Sequence, residues 1–127
     1  MTIEKVQTGA APRAIGPYSQ GVTTKGWLFV SGQIGLDPES GALVGGGFTA
    51  EVRQAFQNLA AIVTAGGATL DQVVRVTVYL TDLERFSEMN AIYEEYLGGC
   101  RPARSTVGVA SLPRGAVFEI DAIVRCA

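Results

Sequence analysis

The feature that most constrains this fold is an alternation of apolar and polar residues over residues 116–124. Successive side chains of a strand point to opposite faces, so an alternating segment has one apolar and one polar face. The apolar set is Phe118, Ile120, Ala122 and Val124, and the polar set is Glu119 and Asp121. Residues 104–109 also alternate and are rich in β-branched side chains, which predicts a second strand.

A short loop, residues 110–115, joins these two predicted strands and contains the turn formers Pro113 and Gly115. We expect the strands to pair antiparallel with Val109 opposite Ala116, because a slip of one residue would turn the apolar set to the wrong side. This register places two pairs opposite each other, Arg104 with Asp121 and Thr106 with Glu119. It brings four polar side chains to one sheet face, namely Arg104, Thr106, Glu119 and Asp121.

An arginine and a carboxylate on one sheet face allow two interpretations. In the first, Arg104 forms a cross-strand ion pair on a solvated face, which contributes under ~1 kcal/mol. In the second, the face binds a small anionic substrate, because arginine grips a carboxylate at two points and Glu119 activates a water or transfers a proton. The residues alone leave both interpretations open.

The preceding chain predicts further strands and two helices. Residues 3–6, 18–22 and 27–33 are strand candidates, and residues 23–26 suit a hairpin turn because Gly26 can take a positive φ. A helix begins with Thr49 as its N-cap, carries Glu51 in its first turn and ends at Gly66. Residues 71–80 form a strand, and Asp82 caps a second helix that ends at residues 98–99.

The apolar patterns indicate which faces are buried. In the strand over residues 71–80, one face carries Val74, Val76, Val78 and Leu80, and the other carries Val73, Arg75, Thr77 and Tyr79. Two amphipathic helices suffice to cover one face of a mixed sheet. We therefore expect one α+β domain over residues 1–127, in the order β-β-β-α-β-α-β-β. The uncovered face keeps apolar side chains, which indicates self-association with closed cyclic symmetry. These are Val73, Tyr79, Val117 and Ile123.

Composition excludes several classes of chemistry. The chain has no histidine, which removes the commonest general base, the commonest metal ligand and any Ser-His or Cys-His nucleophile pair. Cys100 and Cys126 lack metal-like spacing and are expected to be free thiols. A net charge of −2 without a basic block argues against a broad nucleic-acid surface. The sequence has neither a secretory signal nor an apolar run long enough to span a membrane, so we expect a cytoplasmic protein. We also expect no bound metal.

Several sequence blocks, in the same order along the chain, resemble the RidA/YjgF family of reactive-intermediate deaminases over nearly the whole length. The blocks are AIGPYSQG at 14–21, VSGQI at 30–34, QNL at 57–59, VTVYLTDL at 76–83, RPARST at 101–106 and FEIDA at 118–122. The resemblance implies a chorismate-mutase-like α+β fold and a homotrimer with sites between subunits. It also implies a cofactor-free hydrolase that converts enamines and imines, such as 2-aminoacrylate, to 2-keto acids and ammonia.

The resemblance assigns roles by matching position. Arg104 holds the substrate carboxylate, Glu119 positions or activates the hydrolytic water, and Tyr18 lines the pocket and shares in proton transfer. The remaining substrate-binding positions are Ser31, Gly32, Asn90 and Thr106. Thr106 stands where some members carry a cysteine, so a thiol-based role there has no support. Arg101 is expected at the surface or an interface.

Two other functions compete with this expectation. A binding module for a keto acid or another small carboxylate would also use Arg104, but it would gain nothing from the negative charge of Glu119. A translation inhibitor or endoribonuclease is disfavoured by the net charge of −2 and the absence of histidine. Residues 45–47, all glycine, depart from typical members, lack the residues of a phosphate-binding loop and predict a mobile segment.

Overall fold

The structure is a computed structural model that describes residues 2–126, and it confirms the expected α+β order. The elements are β1 Ile3–Val6, β2 Gly21–Thr24, β3 Trp27–Gln33, α1 Phe48–Ala65, β4 Val73–Leu80, α2 Phe86–Leu97, β5 Ala103–Gly108 and β6 Phe118–Arg125. The six strands form one mixed sheet in the order β1-β2-β3-β6-β4-β5. Among the described residues, no helix is both long and apolar enough to cross a membrane.

The expected hairpin between β5 and β6 is wrong. β5 pairs parallel with β4, and β6 pairs antiparallel with β4 on its other side and with β3. The physical reason is the α2 crossover, since a strand followed by a helix returns most readily to pair parallel with the first strand. Residues 109–117 then carry the chain across β4, so β6, the strand that follows β5 in the chain, is not its neighbour in the sheet.

This topology separates the polar residues that the hairpin would have placed together. Arg104 lies opposite Val76 of β4, and Val76 is fully buried on the face that the helices cover. Glu119 lies opposite Tyr79 and Asp121 lies opposite Thr77, on the other face. Partners in a ladder share a face, so Arg104 and Glu119 lie on opposite sides of the sheet. The predicted common face for these residues is therefore wrong.

The core lies between α1, α2 and one face of the sheet. Phe56 of α1 is fully buried and contacts three rings, with centroid distances of 4.8 Å to Tyr96, 5.7 Å to Phe118 and 5.9 Å to Tyr93. Burying a side chain of this size contributes about 1.5–3 kcal/mol. These contacts join both helices to β6, so the position of β6 depends on the whole core.

The N-terminus of α1 differs from the expectation. The helix begins at Phe48, its N-cap is Gly47, and no side chain caps it. Thr49 therefore lies inside the helix. Gly46 and Gly47 both take positive φ, 106° and 88°, which only glycine adopts at low cost. These two glycines thus shape the entry into α1.

A β-bulge changes the predicted faces of β4. Val73 pairs with Val124 while Arg75 pairs with Ile123, so one extra residue lies on β4 between these pairs. As a result Val73 is buried at 3% exposure, whereas Val74 is 40% exposed. The prediction that Val74 shares the buried face is wrong, because strict alternation holds only beyond the bulge.

The hairpin between β2 and β3 is confirmed, with strand ends that differ slightly from expectation. β2 begins at Gly21 rather than at residue 18, and a two-residue loop of Lys25 and Gly26 connects it to β3. Both loop residues have positive φ, 48° and 80°, as in the turns that match the twist of paired strands.

Candidate functional site

A cavity of about 240 Å³ opens beside β6, on the face of Glu119. Its walls come from the segment before β2, the end of β3 and the turn before β6. The lining residues are Pro12, Arg13, Ile15, Tyr18, Gln20, Gly32, Gln33, Ile34, Leu36, Pro113, Arg114 and Glu119. Tyr18, Gly32 and Glu119, expected at the site from the sequence, are therefore brought together here.

Glu119 is half-buried, and its burial raises the pKa of its carboxyl group above the ordinary value. The nearby negative charge of Asp121 raises this pKa further. Both effects disfavour the charged form, so the group exchanges a proton closer to neutral pH than an exposed glutamate does. Asp121 itself accepts a hydrogen bond of 2.9 Å from the hydroxyl of Tyr79, which fixes its carboxylate on the same face.

The lack of a side chain at Gly32 leaves room for the carboxyl group of Glu119. A Cβ atom added to Gly32 would lie 2.8 Å from the carboxyl carbon of Glu119, closer than real Cβ contacts allow. The carboxyl group therefore lies directly against the backbone of β3. Any larger residue at position 32 has to displace it.

Tyr18 stands at the mouth of the cavity, with 54% of its surface exposed. Its hydroxyl accepts a 3.4 Å hydrogen bond from the backbone N–H of Ile15. Ser31 is not among the lining residues, and its hydroxyl donates a 2.5 Å hydrogen bond to the carbonyl of Ser19. Ser31 thus attaches the Tyr18 segment to β3.

Gln20, which sequence reasoning did not single out, organises one wall. It is 4% exposed, and its amide oxygen accepts from the N–H of Thr8 at 2.7 Å. Its amide nitrogen donates to the carbonyls of Thr8, Ala11 and Pro12. A buried amide with this many partners fixes the irregular segment before β2. The only sequence signal for this role was the position of Gln20 within the AIGPYSQG block of residues 14–21.

Arg104 belongs to a second cluster, on the helix side of the sheet. Its Nη1 donates a 2.8 Å hydrogen bond to Oδ1 of Asn90. Its guanidinium carbon lies 4.6 Å from the ring centre of Tyr93 and 5.5 Å from that of Phe86. These contacts hold a planar cation in one orientation and leave donors available for a carboxylate.

Tyr93 is the residue of this cluster that the sequence did not single out. It is 8% exposed, and burial raises the pKa of its hydroxyl, although the charge of Arg104 acts in the opposite direction. The signal was its spacing, because Asn90 and Tyr93 are three residues apart and so share one side of α2. Thr106 lies on the same sheet face as Arg104, opposite Val78.

A single chain therefore carries two separate halves of the expected site. The cavity of Glu119, Tyr18 and Gly32 lies on one side, and the cluster of Arg104 and Asn90 lies on the other. The first can exchange protons with a bound molecule, and the second can hold an anion. Among residues 2–126, no group of three or more His, Cys, Asp or Glu side chains is placed to hold a metal ion.

Comparisons with known proteins identify the family of this chain. The family model described as "Endoribonuclease L-PSP" matches residues 8–126. The 2-iminobutanoate/2-iminopropanoate deaminase of Mus musculus is 48% identical over 118 residues, which is 93% of this chain and 87% of that protein.

Two solved structures share the fold over almost their full lengths. RidA from the Antarctic bacterium Psychrobacter sp. PAMC 21119 has a TM-score of 0.92 and 43% identity, covering 96% of this chain and 98% of that one. E. coli TdcF with bound serine has a TM-score of 0.91 and 35% identity, covering 98% and 99%. The chain therefore belongs to the endoribonuclease L-PSP family, which is the RidA/YjgF family that its sequence resembles.

Proposed function

We propose that this chain is an imine and enamine deaminase, which hydrolyses compounds such as 2-aminoacrylate to 2-keto acids and ammonia. The similarity to mammalian proteins named 2-iminobutanoate/2-iminopropanoate deaminase, 45% to 48% identical over 93% of the chain, supports this activity. The observation in the structure that carries it is the half-buried carboxyl group of Glu119 at a cavity, with a raised pKa.

An enamine such as 2-aminoacrylate first takes up a proton at its β-carbon, which converts it to a protonated imine. The carbon of a protonated imine is already electrophilic, so little further activation is required. Water adds to this carbon and loses a proton, giving a tetrahedral amino alcohol. The nitrogen then takes up a proton and leaves as ammonia, while the hydroxyl group loses its proton and becomes the keto oxygen. Glu119 accepts the proton from water and returns one to the nitrogen, and its raised pKa suits both transfers. Tyr18 at the cavity mouth borders the reacting atoms.

Arg104 holds the substrate carboxylate by two parallel hydrogen bonds, with Asn90 fixing the guanidinium. Thr106, on the same sheet face, adds a hydroxyl near the bound anion. Gly32 borders the substrate beside Glu119, and Ser31 keeps the adjacent wall in place. These roles assign each expected site residue to one of the two clusters.

The complete site forms between two copies of the chain, because one copy places Arg104 and Glu119 on opposite faces of its sheet. Exposed apolar side chains lie beside each cluster and would pack against each other where the two copies meet. Ile15, 65% exposed, lies at the Glu119 cavity, and Phe86, 38% exposed, lies at Arg104. A ring of three copies satisfies every half-site, which is the homotrimer that the family resemblance implies. A cytoplasmic location stays a prediction.

The open face of the sheet supports the same assembly. Phe29 is 44% exposed and pairs with Ile123, and Val107 is 39% exposed and pairs with Tyr79. Such apolar positions across a sheet face are typical of a surface that is covered in the assembled protein. The predicted self-association thus involves this face, although Val73, which was expected there, is buried under the helices.

The deciding experiment measures release of ammonia and keto acid from freshly generated 2-aminoacrylate. We expect the native protein to exceed the spontaneous rate and Arg104→Ala to lose this excess. Arg101→Ala is the matched control. The Arg101 side chain is exposed, and its Nη2 lies 3.8 Å from Oε1 of Glu94, a surface ion pair that contributes little, so its loss should leave the rate unchanged. A correctly assembled native protein without any acceleration would refute the deaminase and favour a carboxylate-binding module.

A further inference from the structure

Glu51 lies in the first turn of α1, and its side chain reaches the residue that precedes β6, the strand that carries Glu119. Its Oε1 accepts a hydrogen bond of 3.1 Å from the backbone N–H of Val117. Val117 immediately precedes β6 and stands two residues before Glu119. The carbonyl of Val117 accepts from the N–H of Thr81 at 3.3 Å, so Glu51 supplies the acceptor for the other backbone group of this residue.

The backbone of Glu51 contacts the opposite wall of the cavity. A Cβ atom added to Gly35 would lie 2.8 Å from the Cα of Glu51, so the two backbones are in direct contact. Gly35 stands between Ile34 and Leu36, which both line the cavity. One residue of α1 therefore touches the wall after β3 with its backbone and the wall before β6 with its carboxylate.

A second contact, near the surface, joins the turn before β6 to the turn of residues 37–41. Nη2 of Arg114 donates a hydrogen bond of 2.8 Å to the carbonyl of Gly41. Both residues are exposed or half-buried, and an exposed hydrogen bond of this kind adds little rigidity. The bond from Val117 to Glu51 is half-buried and lies much nearer in sequence to Glu119. It is therefore the contact with the larger effect on the carboxyl group.

A simpler explanation for Glu51 is its charge. A carboxylate in the first turn of a helix interacts favourably with the partial positive charge of the helix N-terminus. That role needs a negative charge near the helix end but no particular reach. The contact with Val117 needs an acceptor oxygen at the full length of the glutamate side chain but no charge. The two roles therefore make different demands on position 51.

We infer that Glu51 is a positioning residue for the deaminase reaction, which fixes Glu119 by accepting a hydrogen bond from Val117 across the two cavity walls. This inference rests on the proposed function. Without that acceptor, the N–H of Val117 turns towards water and the start of β6 moves away from α1. The carboxyl group of Glu119 then loses its fixed distance from Gly32 and from the reacting carbon. A displacement of this kind reduces the rate of the chemical step more than it weakens binding of the substrate by Arg104.

Three substitutions separate acceptor, length and charge. Glu51→Gln keeps the length and an acceptor oxygen but removes the charge. Glu51→Asp keeps the charge at the helix end but is one methylene too short to reach Val117. Glu51→Met keeps the length and approximate volume but has no oxygen acceptor. Glu39→Gln is the control for loss of one negative charge, since Glu39 is exposed and lies on the turn of residues 37–41.

The measurements are kcat and KM for 2-aminoacrylate, hydrogen exchange of the Val117 amide, and the NMR titration of the Glu119 carboxyl group. We expect Glu51→Gln to stay within about twofold of the native kcat, and Glu51→Asp and Glu51→Met to lose at least about tenfold in kcat with little change in KM. The same two variants should show faster exchange at Val117 and a Glu119 pKa shifted towards its ordinary value, because water then reaches the carboxyl group.

Other results would overturn the inference. If Glu51→Asp kept the native kcat and Glu51→Gln lost it, the charge of Glu51 would be what matters. Its role would then be only the interaction with the N-terminus of α1. Equal kcat in all variants would show that Val117 needs no such acceptor. If the native protein itself has no deaminase activity, the proposed function fails, and the exchange rate and the titration still decide whether Glu51 fixes Glu119. If Glu51→Met does not fold, Glu51→Asp carries the test by itself.

Discussion

Two inactive variants of this protein should restore each other's activity when they assemble together. In the proposed site, Arg104→Ala removes the anion-binding half and Glu119→Gln removes the proton-transferring half. Because these side chains lie on opposite faces of one sheet, each complete site of the proposed assembly combines Arg104 of one copy with Glu119 of another. A ring that contains both variants therefore includes a site in which both halves are native.

The expected recovery follows from the geometry of a cyclic trimer. In any trimer with two copies of one variant and one of the other, about one site in three is intact. About three quarters of randomly assembled trimers are mixed in this way, so an equimolar mixture regains roughly one quarter of the native activity. The assay is keto acid release after the two variants are unfolded together in denaturant and refolded.

A matched mixture provides the control. Native protein refolded with an equal amount of the double variant, Arg104→Ala with Glu119→Gln, should also give roughly one quarter of the native activity if sites lie between copies. If each chain instead held a whole site, this control would give about one half, and the two single variants would restore nothing. That second pattern would refute the reasoning from the sheet faces.

Further predictions concern the immediate surroundings of the two halves. Gly32→Ala should lower kcat on the order of 10²-fold, measured by steady-state kinetics, because its Cβ displaces the carboxyl group of Glu119. Asp121→Asn should lower the pKa of Glu119, and the acidic limb of the pH–rate profile should move to lower pH. Because the folded state raises the pKa of Glu119, the stability of the native protein falls as the pH rises from the ordinary pKa of a glutamate through the raised one. Across this pH range, chemical denaturation should show the free energy of unfolding of Glu119→Gln increasing relative to that of the native protein. Tyr93→Leu should raise KM because it removes the ring that lies 4.6 Å from Arg104, whereas Tyr93→Phe should leave KM unchanged.

The elements could be predicted from the sequence because their patterns are local. The apolar stripe of α1, the alternation of β6 and the turn at Gly26 each lie within a few residues, and the structure confirms them. The bulge after Val73 could not be predicted, because it depends on the register between β4 and β6 rather than on either strand alone.

Strand pairing was the point at which local patterns failed. A short loop with Pro113 favoured a hairpin between β5 and β6, whereas the packing of α2 on the sheet places β5 parallel to β4. Arg104 and Glu119 are first singled out by the predicted pairing, and the family resemblance assigns their roles by position without depending on it. Their separation onto two faces, in contrast, is a property of the strand order, which no single segment specifies.

The position of β6 has a consequence for how the protein is made. β6 follows all the other strands in the chain, yet in the sheet it lies between β3 and β4. Until it leaves the ribosome, the strands already synthesised form two groups with unpaired edges facing each other, a state that is prone to pair with other chains. The step that joins the two groups therefore waits for β6, and a nascent chain that stalls just before β6 keeps both strand edges unpaired.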